Sequence, residues 1–569
     1  MKAKLFSVII VLGLMLSFVF IVNTTSNIGY AGPDGPSIVT IEPDAAETLR
    51  AQGRDFKYPF PNSVNSGRKF NPVGDVVDPL TPDATQKILV LFAEFTTLPP
   101  GGPSSRLDLH YFDDMLFGTV YNPPEYAAWY PGSPAAPYPI DRTLYNYFKE
   151  VSYGYIDIVT LNMPSAIGWS QTDRPYDYYC KADGIHDNGF GPYPNNAQGL
   201  VVDAIMAADS IVDFSEYAVN GEVPNLFVVY AGTGAEWSTD PSLFWSHSWY
   251  ISAGDSTLPN GYTADDVKLD RYAVMPEVGG DLTAYLGPPG YGPYPPTVGV
   301  YAHEYGHVLG LPDQYDYGYE SEGTGYYSLM AGGSWNRYPW TGMSGWSKGT
   351  RIFAANSPAH LDAWSKYMLS FLTPIEISST TSVTISPAET DPVVYKMVVP
   401  YSNGKEYFLL ENRQLIGFDE GLTQFGAHGL AIYHVDMTVF WRNYHRPNEA
   451  ENWKEFRSEG WKKAWTGETH YGISIIQADD QWHLEHGING ADAMDLYPGA
   501  LGITRLNSYT RPNTSNYYFW GGSAPKFGYS GVTVKNIQET GTTISADLDF
   551  IPWTPPNNRL NGARVYALP

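Results

Sequence analysis

Apolar and polar positions change their spacing partway along the chain. From 85 to 373, apolar runs of strand length alternate with stretches whose apolar residues recur three and four apart. KILVLFAEF (87–95) and PNLFVVYAG (224–232) are nearly unbroken apolar runs, as expected of strands covered on both faces. GYIDIVTLNM (154–163) alternates, which predicts another strand. LYNYFKEVSYG (144–154) has helical spacing and stops at Gly154, and AQGLVVDAIMAADS (197–210) predicts an amphipathic helix. This mixture predicts an α+β domain over 85–373.

From 374 the pattern shortens. TSVTISPA, VVYKMVV, EYFLLEN, GLAIYHV, YGISIIQ and VTVKNIQETGTTISADLDF are strand-like runs separated by turn residues. They predict an all-β sandwich over 374–552 that closes on a hairpin across Glu539–Gly541. Residues 32–84 are rich in Pro, Gly, Asn and Asp and have little periodicity, so they read as a propeptide or linker. Residues 553–569 form a tail with no recognisable anchor, and no internal repeat is present.

At the N-terminus, Lys2 and Lys4 precede an uncharged apolar run from Leu5 to Val22, and Gly-Tyr-Ala-Gly follows at 29–32. This pattern predicts a secretory signal over 1–31, cut after Ala31. The run is also long enough to cross a bilayer uncut, but small residues stand where a signal peptidase needs them. The expectation is an extracellular protein with no membrane attachment after cleavage.

The formal net charge is −26, and no stripe of Lys and Arg interrupts the acidity. Nucleic acid, whose phosphates demand such a stripe, is therefore excluded as a partner. The acidity suits an exported protein or calcium sites. Cys180 is the one cysteine, so no disulfide forms within the chain; it reads as a partly buried structural thiol.

The chemistry concentrates in TVGVYAHEYGHVLGLPDQYD (297–316). A helix that ends at a left-handed Gly310 puts His303 and His307 on one face, where both imidazoles reach one metal ion. Zinc suits two neutral imidazoles and an open position, and Glu304 stands where a general base for zinc-activated water is needed. Asp313 is the expected third ligand in HExxHxxGxx(H/D), with Asp316 as its nearest competitor and Glu320, Glu322 and Asp362 as weaker ones. Two histidines on an ordinary helix would give HExxH alone; the extension through Gly310 to Asp313 separates the readings.

This segment resembles the active-site region of immune inhibitor A-type metallopeptidases, within the metzincin group. NYFKEVSYGYIDI (146–158), VVDAIMAADSIVDFSEY (201–217), VVYAGTGAEWS (228–238), WSHSW (245–249), YYSLMAGGSWN (326–336) and PAHLDAWSKYMLSFL (358–372) resemble that catalytic domain. EYFLLENRQLIGFDEGL (406–422) and GLAIYHVD (429–436) resemble its β-domain. The resemblance implies a metzincin-like zinc peptidase domain, with Met330 in a turn beneath the zinc ligands. It also brings Tyr326 or Tyr327 forward as an oxyanion stabiliser, beside a plain structural role. Some metzincin propeptides place an aspartate on the zinc; Asp75, or Asp78, is the candidate for that latency here, against a mere acidic linker.

The resemblance also implies a calcium loop after DFSEY, but YAVNGEVPN (217–225) offers only Glu222. Asp492 and Asp495 are better calcium candidates, with a solvated turn as the alternative, and Asp183 and Asp187 are weaker ones. HLEHG (483–487) has poor ligand spacing between His483 and His486 and reads as surface, while His247 and His434 read as supports of the structure. The expected function is secreted zinc-dependent endopeptidase, acting on protein or peptide substrates laid along a sheet edge. Its alternatives are a catalytically inactive binding protein on the same scaffold and a zinc hydrolase of non-peptide bonds. An intact Glu304 argues against the first, and the resemblance against the second.

Overall fold

The computed structural model describes residues 37–41, 84–97, 106–121, 141–253, 257–280, 295–337, 354–400, 402–442, 446–449, 471–517 and 530–550. The expected signal, the latency candidates Asp75 and Asp78, and the tail lie outside these residues.

Six strands form the main sheet: β1 (Ser37–Ile38), β2 (Leu89–Glu94), β3 (Trp169–Gln171), β4 (Leu226–Thr233), β5 (His247–Tyr250) and β6 (Arg271–Val278). Their order is β1-β5-β6-β4-β2-β3. The strands β6, β4, β2 and β3 run parallel; β5 runs against β6, and β1 against β5.

The apolar runs of β2 and β4 have two faces, and each has a core to fill. Leu89, Leu91, Leu226 and Val228 enter one core with the helix α2 (Ala197–Ala208). Val90, Phe92, Phe227 and Val229 enter the other, with α1 (Leu144–Val151) and α3 (Val298–Val308). The helix α1 is capped by Thr143, whose hydroxyl accepts the Asn146 N–H at 3.0 Å, and ends where Gly154 turns back at φ +75. The helix α2 differs from its expected amphipathic form. It is covered almost all round, by the sheet and by Tyr176 and Tyr179, and Met206 is its one exposed residue, at 57%.

Nine further strands follow: β7 (Ile375–Glu376), β8 (Thr381–Ile385), β9 (Tyr395–Val398), β10 (Glu406–Arg413), β11 (Gly429–Asp436), β12 (Ile473–Ile475), β13 (Arg505–Leu506), β14 (Val532–Thr540) and β15 (Thr543–Phe550). They form a five-stranded sheet, β7-β9-β10-β11-β12, and a four-stranded sheet, β8-β15-β14-β13. β14 and β15 make a hairpin with Thr540 opposite Thr543 and Gly541 at φ +60, close to the expected turn.

The strand β10 explains how the two halves of the chain join. Phe408 and Leu410 point into an apolar layer shared with Ile385, Ile544 and Leu548 of the four-stranded sheet. Tyr407 and Leu409, on the opposite face, enter the same core as α1 and α3. A helix, α4 (Ala363–Met368), packs there too, and its Lys366 meets Glu411 of β10 at 3.0 Å with both side chains fully buried. Arg413 forks onto Asp419 at 2.6 and 2.8 Å and donates to the Tyr327 carbonyl at 2.8 Å. The apolar core therefore runs without a break across residue 373. Among the described residues, no helix is long and apolar enough to cross a membrane.

Candidate metal centre

The helix α3 ends as its glycine requires. Gly310 takes φ +104, which lets the Leu311 N–H return to the Gly306 carbonyl at 3.0 Å. The chain then doubles back and carries Asp313 to the Nε2 atoms of the two buried histidines.

His303 Nδ1 lies 2.8 Å from the Leu329 carbonyl, and His307 Nδ1 lies 2.9 Å from the Leu311 carbonyl. A carbonyl only accepts, so Nδ1 carries the proton in each ring and Nε2 presents a lone pair. The two Nε2 atoms are 3.0 Å apart, and each is 3.2 Å from Asp313 Oδ1. That oxygen is buried and accepts no hydrogen bond of proper geometry. Three electron pairs thus face one point with no proton between them, which is repulsive until a cation occupies it. Ligand atoms about 2.0–2.1 Å from a tetrahedral zinc stand about 3.3 Å apart, so the residues fit that ion. Tyr317, four residues after Asp313, donates its hydroxyl to the other carboxylate oxygen.

Glu304 lies beside this set, fully buried, with neither carboxylate oxygen in a hydrogen bond of proper geometry. Burial pushes its pKa well above the usual carboxylate range, and the charges of Asp313 and Glu236 push the same way; the Val39 backbone N–H opposes them. Met330 is buried beneath the helix. A β-carbon on Gly306 would stand 2.5 Å from its sulfur, so the glycine between the histidines is the seat for this side chain. The same turn supplies the Leu329 carbonyl that orients His303.

The other carboxylates near the motif are engaged elsewhere. Asp316 accepts from the Gly318 N–H and the Ser321 hydroxyl, and Asp362 caps α4. Glu320 is exposed, and Glu322 lies in a segment bonded through its N–H to the Leu484 carbonyl. Tyr326 and Tyr327, weighed between an oxyanion role and a structural one, both make structural contacts. The Tyr327 hydroxyl donates to Asp495 at 2.8 Å, and the Tyr326 ring stacks on Phe425 at 4.7 Å. Asp183 and Asp187 accept backbone N–H groups of their own loop. Glu222 pairs in a short strand with Lys268 opposite. Cys180 is buried, which pushes its thiol pKa up. His247 donates to the Trp245 carbonyl and meets the Tyr272 hydroxyl; His434 lies 2.9 Å from Glu406. His486 is exposed, but His483 is half-buried and comes together with Asp479 and Asp492. Asp495 instead spends one oxygen on Tyr327 and on the Asp492 N–H.

Residues 37–41 belong to the same site, and composition gave no sign of it. The strand β1 pairs with the outer edge of β5, with Ser37 opposite Ser248 and Ile38 opposite His247. The Val39 carbonyl accepts from Trp245 Nε1 at 2.9 Å, and Thr40 accepts from Trp335 Nε1 through its carbonyl at 3.1 Å and its hydroxyl at 2.8 Å. Val39 and Ile41 are buried at 0% and 1% exposure, and Val39 faces Glu304 through its backbone.

Residues 81–358 match the family described as "Immune inhibitor A peptidase M6, catalytic domain". Immune inhibitor A of Bacillus thuringiensis subsp. alesti is 34% identical over 182 residues, covering 28% of this chain and 24% of that protein. Pre-pro-metalloprotease PrtV of Vibrio cholerae serotype O1 is 27% identical over 219 residues, covering 32% of this chain and 21% of that protein. The chain thus spans no more than about a quarter of the length of these curated relatives.

Proposed function

We propose that this chain, whose residues 81–358 carry a peptidase M6 catalytic domain of the immune inhibitor A type, is a secreted zinc endopeptidase of metzincin-like fold. One observation carries the reading: two imidazole lone pairs and one unsatisfied carboxylate oxygen converge beside a fully buried glutamate.

His303, His307 and Asp313 hold zinc in this reading. Bound there, zinc supplies Lewis acidity and water of lowered pKa. Glu304 takes the proton of the attacking water and returns it to the leaving nitrogen of the scissile bond. Its dry surroundings favour a carboxyl that holds a proton between these two acts. The Tyr317 hydroxyl fixes the free oxygen of Asp313, and the Leu329 and Leu311 carbonyls fix the two rings. Met330 packs beneath them. Substrate lies as an extended strand against β5, the edge that β1 now covers.

Residues 32–84 are a propeptide, 85–373 the catalytic domain and 374–552 a β-sandwich packed against it. Latency rests on residues 37–41, which lie on the substrate edge and across Glu304. Of the calcium candidates Asp492 and Asp495, Asp492 belongs to the site argued below.

The test is hydrolysis of an unfolded protein by the chain after proteolytic removal of residues 32–84, beside Glu304→Gln, with zinc measured on both. Cleavage by the first and none by the second, with one catalytic zinc in each, is the expected result. Silence of the processed wild type, zinc present, would overturn the reading in favour of an inactive binding protein.

A further inference from the structure

A second group of metal-ligating side chains lies outside the candidate active site. Asp479, His483 and Asp492 each turn one donor atom to within 4.8 Å of the other two. His483 Nδ1 is 3.2 Å from Asp492 Oδ2, and the Asn489 amide touches both, at 3.2 and 3.1 Å. Negative charge is heavily concentrated here. Asp495, fully buried, accepts the Asp492 N–H and the Tyr327 hydroxyl on one oxygen, and its other oxygen has no hydrogen bond. Among the described residues, no lysine or arginine pairs with Asp479, Asp492 or Asp495. Two carboxylates and one imidazole that converge, with a third carboxylate buried behind them, are a site that a divalent metal completes.

We propose that Asp479, His483 and Asp492 form a second, structural zinc site. An imidazole between two carboxylates favours zinc over calcium, which takes oxygen ligands only. The site has a clear purpose in the fold. Its loop presses on the segment that leads into the Met330 turn: Gly490 accepts the Tyr326 N–H at 2.8 Å, and Leu484 accepts the Glu322 N–H at 2.8 Å. Tyr327 donates to Asp495 and to the Asp492 carbonyl at 2.8 and 3.2 Å. Gly325 is packed so closely that a β-carbon there would stand 2.1 Å from the Gly490 carbonyl. Zinc at the second site pins this loop, and the loop pins the floor of the first.

The site stands independently of the proposed peptidase, and the experiment keeps the two apart. All proteins carry Glu304→Gln to prevent self-cleavage, and zinc per chain is counted after dialysis against micromolar zinc. The expected counts are two for the parent, one for His483→Ala, one for the His303→Ala/His307→Ala pair, and none for all three together. Asp479→Asn and Asp492→Asn, which keep side-chain volume, should also give one. Hydrogen exchange of residues 477–495 should quicken in His483→Ala and not in the His303→Ala/His307→Ala pair. A parent that holds a single zinc, lost only with His303 and His307, overturns the proposal. So does a site filled by calcium and unaffected by His483→Ala.

Discussion

The buried pair Lys366–Glu411 offers a quantitative test of how the two halves of the chain are joined. Lys366 has no water to solvate it, yet Glu411 at 3.0 Å keeps it charged and holds its pKa above the usual value against the cost of burial. Arg413 and Asp419 extend the set, and Glu389 joins it 3.9 Å from Arg413, its carboxyl pKa pushed up by burial and by the Asp419 charge. Removing one partner of a buried pair costs about 3–5 kcal/mol, because the survivor keeps its charge without its counter-ion. Lys366→Met should sit near the lower end, about 3 kcal/mol, since Glu411 retains Arg413 at 3.3 Å and the Tyr433 hydroxyl at 2.7 Å. Glu411→Gln should cost more, since Lys366 then keeps only the Tyr153 hydroxyl at 3.3 Å. The double variant carries no stranded charge, so it should be more stable than the sum of the two singles by about 2 kcal/mol or more. Urea unfolding followed by tryptophan fluorescence, in the Glu304→Gln background, measures all four proteins. Strict additivity, or a single cost below about 1 kcal/mol, would mean that the pair is solvated and does not join the halves.

Other outcomes follow from single contacts. Tyr317→Phe removes the hydroxyl that orients Asp313 and should weaken zinc binding about 10–100-fold in a chelator competition; unchanged affinity would show that Asp313 needs no such support. Trp335→Phe removes a donor to Thr40, worth about 1 kcal/mol, and should speed activation of the proform several-fold, read as the lag before cleavage of a reporter peptide; an unaltered lag would count against residues 37–41 as the block. Burial lowers the His247 pKa from 6.5 to about 4. Below pH 6.5 the unfolded chain therefore binds a proton that the folded chain refuses, and stability falls until about pH 4. Across that window the wild type should lose about 3 kcal/mol relative to His247→Gln; parallel stability curves would contradict the burial argument.

What the sequence disclosed depended on how local the cause was. His303, Glu304 and His307 were legible because a helix repeats its faces every three to four residues, and Asp313 because Gly310 dictates the reversal that carries it back. Tyr317 was missed, although its spacing of four from Asp313 was visible; nothing in a tyrosine's identity says which carboxylate it meets. Asp479, His483 and Asp492 lie on irregular backbone, where no period predicts which side chains converge. The strand β1 was hidden for another reason. Two residues of ladder carry no alternation, and its stability comes from β5 and from Trp245 and Trp335, all far along the chain. The reading of 374–552 as a unit of its own came from strand texture and from the resemblance of 406–422 and 429–436 to a β-domain. The apolar stretch of β10 is only Tyr407–Leu410, and the structure shows that its two faces serve two different cores.

The placement of β1 has one more consequence. A sheet edge with its backbone groups unpaired will accept any extended chain, including one from a neighbouring molecule. While residues 37–41 are in place, the outer edge of β5 at His247 and Ser248 is already paired and is not offered to a neighbour. Their departure opens the groove and the rim in one event. In the proposed reading, newly activated molecules would therefore meet one another through the surface that takes up substrate. Self-association, and mutual cleavage wherever a loose segment is within reach, should be set by how far they have diluted before the strand leaves.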